Sequence, residues 1–159
     1  MFWIIDSSAV INSRGVVSLA RGEKIVTTNL VIDEIKDFTS RMLLETLQSS
    51  TDFSIFPVSQ LQQEMRTVKG VAARSKKRLS MADLSVAALA YHFRSQDKEN
   101  TVLTDDYLLQ NLLSNLGLRY RSVQMPGIKI TKKYGSARCM VCKKILDDEK
   151  TCPHCGTAN

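Results

Sequence analysis

The sequence predicts an α/β fold with a mostly parallel central sheet, followed by a small C-terminal module of a different kind. Three observations carry this. Short apolar strands alternate with helical segments through residues 1–123. Two of those strands run directly into carboxylates, at Asp6 and at Asp105-Asp106. All four cysteines fall in a second region, between residues 139 and 155, as two CxxC pairs.

Taken in order, Phe2 to Ile5 reads as a strand ending at Asp6-Ser7-Ser8, with Ser7 or Ser8 able to cap a helix from Ala9 to Asn12. Ile25 to Thr28 is β-rich but brief. Asn29 is placed to cap a helix over Leu30 to Phe38, and Ser40 to Gln48 reads as another. Phe53 to Val58 alternates apolar and polar residues and is expected as the second strand. Ser59 to Leu79 has helical spacing at Leu61, Met65 and Val68, weakened midway by Gly70. Ser80 to Phe93 is Ala-rich and apolar nearly all round, so its expected place is against a sheet. Thr101 to Leu103 is a third strand, Tyr107 to Leu116 a helix stopped by Gly117, and Leu118 to Val123 a fourth strand. The expected division is a body over 1–123, a basic connector over 124–137 and the cysteine module over 138–159.

The apolar runs are far shorter than the roughly 18 residues of a membrane span, and Met1 to Asp6 lacks the basic start of a secretory signal. A cytoplasmic protein without a membrane partner is expected. In a reducing compartment Cys139, Cys142, Cys152 and Cys155 read as ligands of one structural Zn²⁺, because each CxxC turn offers two thiolates to a tetrahedron. An iron–sulfur or disulfide reading stays open. His154, between two ligands, is read as non-coordinating. Four protein ligands leave no open position, so this metal is structural.

The net charge of +6 is unevenly placed. Residues 1–118 hold 13 basic and 13 acidic side chains, whereas residues 119–159 hold 9 and 3, which is the whole excess. A basic tail on a neutral body points to a polyanion such as RNA; a solvated basic surface is the plain alternative. Candidate RNA contacts are Arg74, Lys76, Lys77 and Arg78 before the Ala-rich helix, and Lys129, Lys132, Lys133, Arg138, Lys143 and Lys144 in the connector and module. The first group also fits a solvated helix face.

Carboxylates recur at Asp6, Glu34, Asp83 and Asp105-Asp106. In open α/β sheets functional residues collect at the carboxyl ends of strands, so Asp6 and Asp105/Asp106 are expected to meet there, with Asp83 and Glu34 joining from helices. Such a cluster selects a hard cation, Mg²⁺ or Mn²⁺. Each acid also has a purely local reading: Asp83 forms a capping box with Ser80, Asp106 favours a helix N-terminus, and Glu34 lies on a solvated face with Asp33 and Asp37.

Ile4-Ile5-Asp6-Ser7-Ser8-Ala9, Val31-Ile32-Asp33-Glu34-Ile35, Met81-Ala82-Asp83-Leu84-Ser85-Val86-Ala87 and Val102-Leu103-Thr104-Asp105-Asp106-Tyr107, about 20 to 50 residues apart, resemble the four acidic motifs of PIN domains. With Asp106-Tyr107-x-x-Gln110-Asn111 and the zinc-ribbon-like tail, the chain is similar over nearly its whole length to the Nin-one-binding endonucleases in archaeal form. The resemblance implies a PIN-like three-layer body plus a zinc ribbon, and an endoribonuclease that completes the 3′ end of small-subunit ribosomal RNA, leaving 3′-hydroxyl and 5′-phosphate. It implies Asp6, Asp83 and Asp106 as Mg²⁺ or Mn²⁺ ligands, Glu34 completing the site, Asp105 as an extra candidate, and Ser7 and Thr104 as supporting hydroxyls. Implied partners are that RNA, its precursor particle and a ribosome-assembly protein. The rival readings are a toxin-type (VapC-like) PIN ribonuclease and a non-catalytic RNA-binding assembly module.

Overall fold

The computed structural model describes residues 1–11, 16, 23–75, 78–124, 127–128, 141–142, 152 and 154–157. Its strands are β1 (Phe2–Ile5), β2 (Lys24–Thr28), β3 (Asp52–Phe56), β4 (Asn100–Leu103) and β5 (Tyr120–Arg121). Its helices are α1 (Ser7–Ile11), α2 (Asn29–Glu34), α3 (Phe38–Ser50), α4 (Gln62–Ala72), α5 (Met81–Ser95) and α6 (Tyr107–Asn115), with a 3₁₀ turn at Val58–Gln60. The strands form one sheet in the order β3-β2-β1-β4-β5, and every pairing is parallel.

Burial explains the layering. Successive strand residues point to opposite faces, yet Trp3, Ile4 and Ile5 of β1 and Ile25 to Thr28 of β2 are all buried. Both faces of the central strands are therefore covered, as parallel sheets require. β3, at the sheet edge, leaves Asp52, Ser54 and Ile55 exposed. α5 is the helix that fits this interior: Leu84 to Ala90 are all buried, and the helix touches β1, β2, β4, α2, α4 and α6.

The main departures from expectation have local causes. Ile25 to Thr28, although brief, belongs to a full strand at the second position of the sheet, because its pairing with β1 and β3 supplies what its length does not. α2 stops at Glu34, and Asp37 caps a separate α3 by accepting from the Ser40 amide at 2.8 Å. Asn29 does not cap; its Oδ1 accepts from the Val58 amide at 2.9 Å. α4 runs through Gly70, where an added Cβ meets nothing within 4 Å, and ends at Ala72. Residues 73–78 offer no apolar spacing to continue it, so Arg74 lies in a turn and exposed Arg78 lies outside any helix; Lys76 and Lys77 are outside the described residues. β5 is cut to two residues because the amides of Val123 and Gln124 turn to a carboxylate, that of Asp105, in place of a strand.

Candidate active site

β1 and β4 are adjacent, and the chain leaves them toward opposite edges of the sheet: β2 and β3 lie on one side, β5 on the other. The crevice beyond their carboxyl ends is the topological switch point, where α/β sheets bind ligands. Asp6 follows β1 there, and Thr104, Asp105 and Asp106 follow β4.

Asp6 is only 2% exposed, and its carboxylate is held from three directions. Oδ1 accepts from the Ala9 amide at 2.9 Å and from Ser8 Oγ at 2.9 Å. Oδ2 accepts from Thr104 Oγ1 at 2.5 Å and from Ser8 Oγ at 3.1 Å. The hydroxyls are themselves braced: Asp105 N donates to Ser8 Oγ at 2.9 Å and Asp106 N to Thr104 Oγ1 at 3.0 Å. Burial pushes the Asp6 carboxyl up to about 6; the hydrogen bonds from Thr104, Ala9 and Ser8 oppose that rise, and the negative charge of Asp83 adds to it.

Asp83 is also raised, first by burial and then by the charges of Asp106 and Glu34, against hydrogen bonds from Ser80 that lower it. Asp83 thus feels the charges of Asp106 and Glu34 and adds its own to the field at Asp6, although the four come from separate parts of the chain. The local readings of two of them hold as well. Ser80 and Asp83 form a capping box, with Asp83 Oδ2 accepting from Ser80 N at 2.9 Å and Ser80 Oγ from Asp83 N at 3.1 Å. Asp106 caps α6, its Oδ1 accepting from Leu108 N at 2.6 Å. Capping and metal binding are compatible, since each cap engages one carboxylate oxygen and fixes the direction of the other. Ser80→Ala should lower stability by about 1 kcal/mol, read as a lower urea midpoint at unchanged slope.

Asp105 does something different. Its Oδ1 accepts from Val123 N at 2.9 Å and Gln124 N at 3.3 Å, so this carboxylate addresses the chain leaving β5. The hydroxyls that hold the Asp6 carboxylate are those of Thr104, as expected, and of Ser8, for which the i+2 spacing from Asp6 was the available signal. One further pair had no sequence signal. Thr28 and Ser85 share a buried hydrogen bond of 2.6 Å that ties the end of β2 to the first turns of α5. Gln110, fully buried, donates from Nε2 to Thr104 O and Ser122 Oγ, both at 2.9 Å, and accepts at Oε1 from Ile128 N at 2.9 Å.

Among the described residues, Cys142, Cys152 and Cys155 are the potential ligands that gather most tightly, with sulfurs within 4.8 Å of one another. Among the described residues the carboxylates form no such close group. Cys142 Sγ and Cys152 Sγ are 3.6 Å apart, close to the roughly 3.8 Å edge of a tetrahedron with Zn–S bonds of about 2.3 Å. The turn is set by Gly156, at φ 71°, whose amide donates to Cys152 O at 2.8 Å. His154 is exposed. Cys139, Lys129, Lys132, Lys133, Arg138, Lys143 and Lys144 lie outside the described residues. No helix among the described residues is long and apolar enough to cross a membrane.

Comparison with known proteins gives the same picture. Residues 3–93 match the family described as "PIN domain of ribonuclease". Endoribonuclease Nob1 of Pyrococcus abyssi is 37% identical over 134 residues, covering 82% of this chain and 79% of the relative. Endoribonuclease Nob1 of Methanothermobacter thermautotrophicus is 34% identical over 159 residues, covering 97% and 88%. Ribonuclease VapC3 of Aeropyrum pernix is 36% identical over 123 residues, covering 74% and 86%.

Proposed function

Because this chain belongs to the PIN-domain ribonuclease family, we propose that it is a divalent-metal-dependent endoribonuclease that matures the 3′ end of small-subunit ribosomal RNA in the cytoplasm. What supports the catalytic part is that Asp83 is coupled electrostatically to Asp6, Asp106 and Glu34, beside the crevice beyond β1 and β4. Like charges brought together in a partly buried crevice are unfavourable alone, and their donor set of oxygens fits Mg²⁺ or Mn²⁺. Such an ion, when bound, lowers the pKa of a coordinated water and offsets charge on the phosphodiester.

Asp6, Asp83 and Asp106 are the proposed ligands. Ser8, Thr104 and the Ala9 amide hold the Asp6 carboxylate in one rotamer, and the caps on α5 and α6 orient Asp83 and Asp106. Glu34, exposed at the end of α2, is placed to accept a proton from the attacking water or to position it. Water gives up a proton as it adds to phosphorus, the bond from phosphorus to the 3′ oxygen breaks, and that oxygen takes a proton from solvent, so the products carry 3′-hydroxyl and 5′-phosphate ends. In this reading Arg74, Arg78 and the tail lysines hold phosphates on either side of the cut bond, and Cys139, Cys142, Cys152 and Cys155 hold one Zn²⁺.

The sequence identity to VapC3 supports a second reading, a toxin-type ribonuclease with the same body. An RNA spanning the 3′ end of small-subunit ribosomal RNA, incubated with Mn²⁺ and the full chain, should be cut at one position. Equal cutting of unrelated RNAs would favour the toxin-type reading. Binding without cutting, on free RNA and on the precursor particle alike, would favour a non-catalytic assembly factor.

A further inference from the structure

We infer that Asp105 and Gln110 are positioning residues that latch the start of the C-terminal tail to the edge of the active site, so that RNA bound by the tail is presented to the acids. The inference builds on the nuclease reading above, but its geometry stands apart from it. The chain leaving β5 is held at four residues within seven, Ser122 to Ile128. Asp105 Oδ1 accepts from the amides of Val123 and Gln124 at 2.9 and 3.3 Å, and Oδ2 accepts from the latter at 3.3 Å. Gln110 Oε1 accepts from Ile128 N at 2.9 Å, and Gln110 Nε2 donates to Ser122 Oγ at 2.9 Å.

Both latch residues are joined to the site itself. Asp105 gives its own amide to Ser8 Oγ, which holds Asp6. Gln110 gives Nε2 to the carbonyl of Thr104, the residue whose hydroxyl holds the other Asp6 oxygen. Gly127 permits the close approach: a Cβ there would stand 3.2 Å from Ser122 Oγ and 3.7 Å from Gln110 Oε1. A fully buried amide with three hydrogen bonds, beside a carboxylate collecting two consecutive main-chain amides, is a specific arrangement that leaves little freedom for slippage. The chain that continues from Ile128 carries Lys129, Lys132 and Lys133. Fixing its departure point beside the acids limits where those cations can hold a phosphate backbone.

Amide hydrogen exchange on the full chain tests the latch without reference to activity. Asp105→Ala should speed exchange at Val123 and Gln124 by about tenfold or more, the scale of losing a hydrogen bond to a charged acceptor. Asp105→Asn, which keeps an acceptor oxygen, should restore most of the protection. Ser122→Ala, a milder change than any at buried Gln110, should speed exchange at Ile128. In cleavage of the long RNA, Asp105→Ala should raise KM several-fold at nearly constant kcat and unchanged Mn²⁺ dependence. Unchanged exchange at all three amides would overturn the latch. A collapse of kcat with a shifted Mn²⁺ dependence would overturn it too, by making Asp105 a metal ligand. If the wild-type chain cut no RNA, the nuclease reading would fall and exchange alone would decide the latch.

Discussion

Asp6→Asn should reduce RNA cleavage by about 10²- to 10³-fold or more, while the metal-free protein becomes more stable near neutral pH. The first effect follows from the proposed role of Asp6 as an anionic ligand: its loss removes several kcal/mol of transition-state charge stabilisation, and each 1.4 kcal/mol is about a factor of ten. The second follows from burial. The Asp6 carboxyl is raised from its ordinary value to about 6, so the folded protein holds this proton more tightly than the unfolded chain does. Stability of the metal-free wild type therefore falls as pH rises from about 4 to about 6, and the full penalty applies above that range. With a shift of about two pKa units the penalty is about 3 kcal/mol at most. Asparagine recovers only part of it, because Thr104 Oγ1, already accepting from Asp106 N, must re-pair with the new amide. Thermal melts in EDTA should show the variant melting a few degrees higher at pH 7.5 and no higher at pH 4. Adding Mn²⁺ should reverse the order, stabilising the wild type alone. A variant that still cuts RNA at the wild-type rate would remove Asp6 from the catalytic set.

The other large effect lies in the tail. One Zn²⁺ per chain is expected by elemental analysis, and its removal with a strong chelator should unfold the module while the sheet of the body persists. Structural zinc contributes about 10–16 kcal/mol of apparent binding energy in small modules, far beyond what packing among its described residues, buried Cys152 against partly buried Cys142, supplies. Cys152→Ser should therefore lose the metal. RNA affinity should drop by tenfold or more and its salt dependence should flatten, because the tail carries the net positive charge. Mn²⁺-dependent cutting of a short oligonucleotide by the body should survive. Retention of stoichiometric zinc in Cys152→Ser would exclude this residue as a ligand.

Much of this was legible in the residues, for reasons that can be named. An apolar tetrapeptide ending in aspartate reads as a strand delivering a carboxylate, and Phe2–Ile5 with Asp6 is such a case. The Ser80–Asp83 spacing encodes a capping box, and the box is formed. What stayed hidden depends on contacts between distant segments. β2 is as short as it looked, and neighbours on both sides make it a strand. The Thr28–Ser85 pair joins residues 57 apart, a proximity that no local pattern encodes. Asp105 and Asp106 look interchangeable in sequence, yet one turns to the tail and the other caps α6. Gln110 stands out in the Asp106-Tyr107-x-x-Gln110-Asn111 stretch, yet its partners Ser122 and Ile128 emerge only when β5 and the following turn are laid beside it.

The pairing of Asp6 with Thr104 spans 98 residues, and it has a consequence for the order of events during synthesis. At about 5–20 residues per second, Thr104 is joined to the chain several seconds after Asp6. During that interval Asp6 lacks the hydroxyl at Oδ2, and β1 lacks β4 as a neighbour. The nascent protein therefore carries an incomplete crevice while it is still attached to the ribosome that makes it. The crevice closes around Asp6 only once β4 and Thr104 have joined the chain.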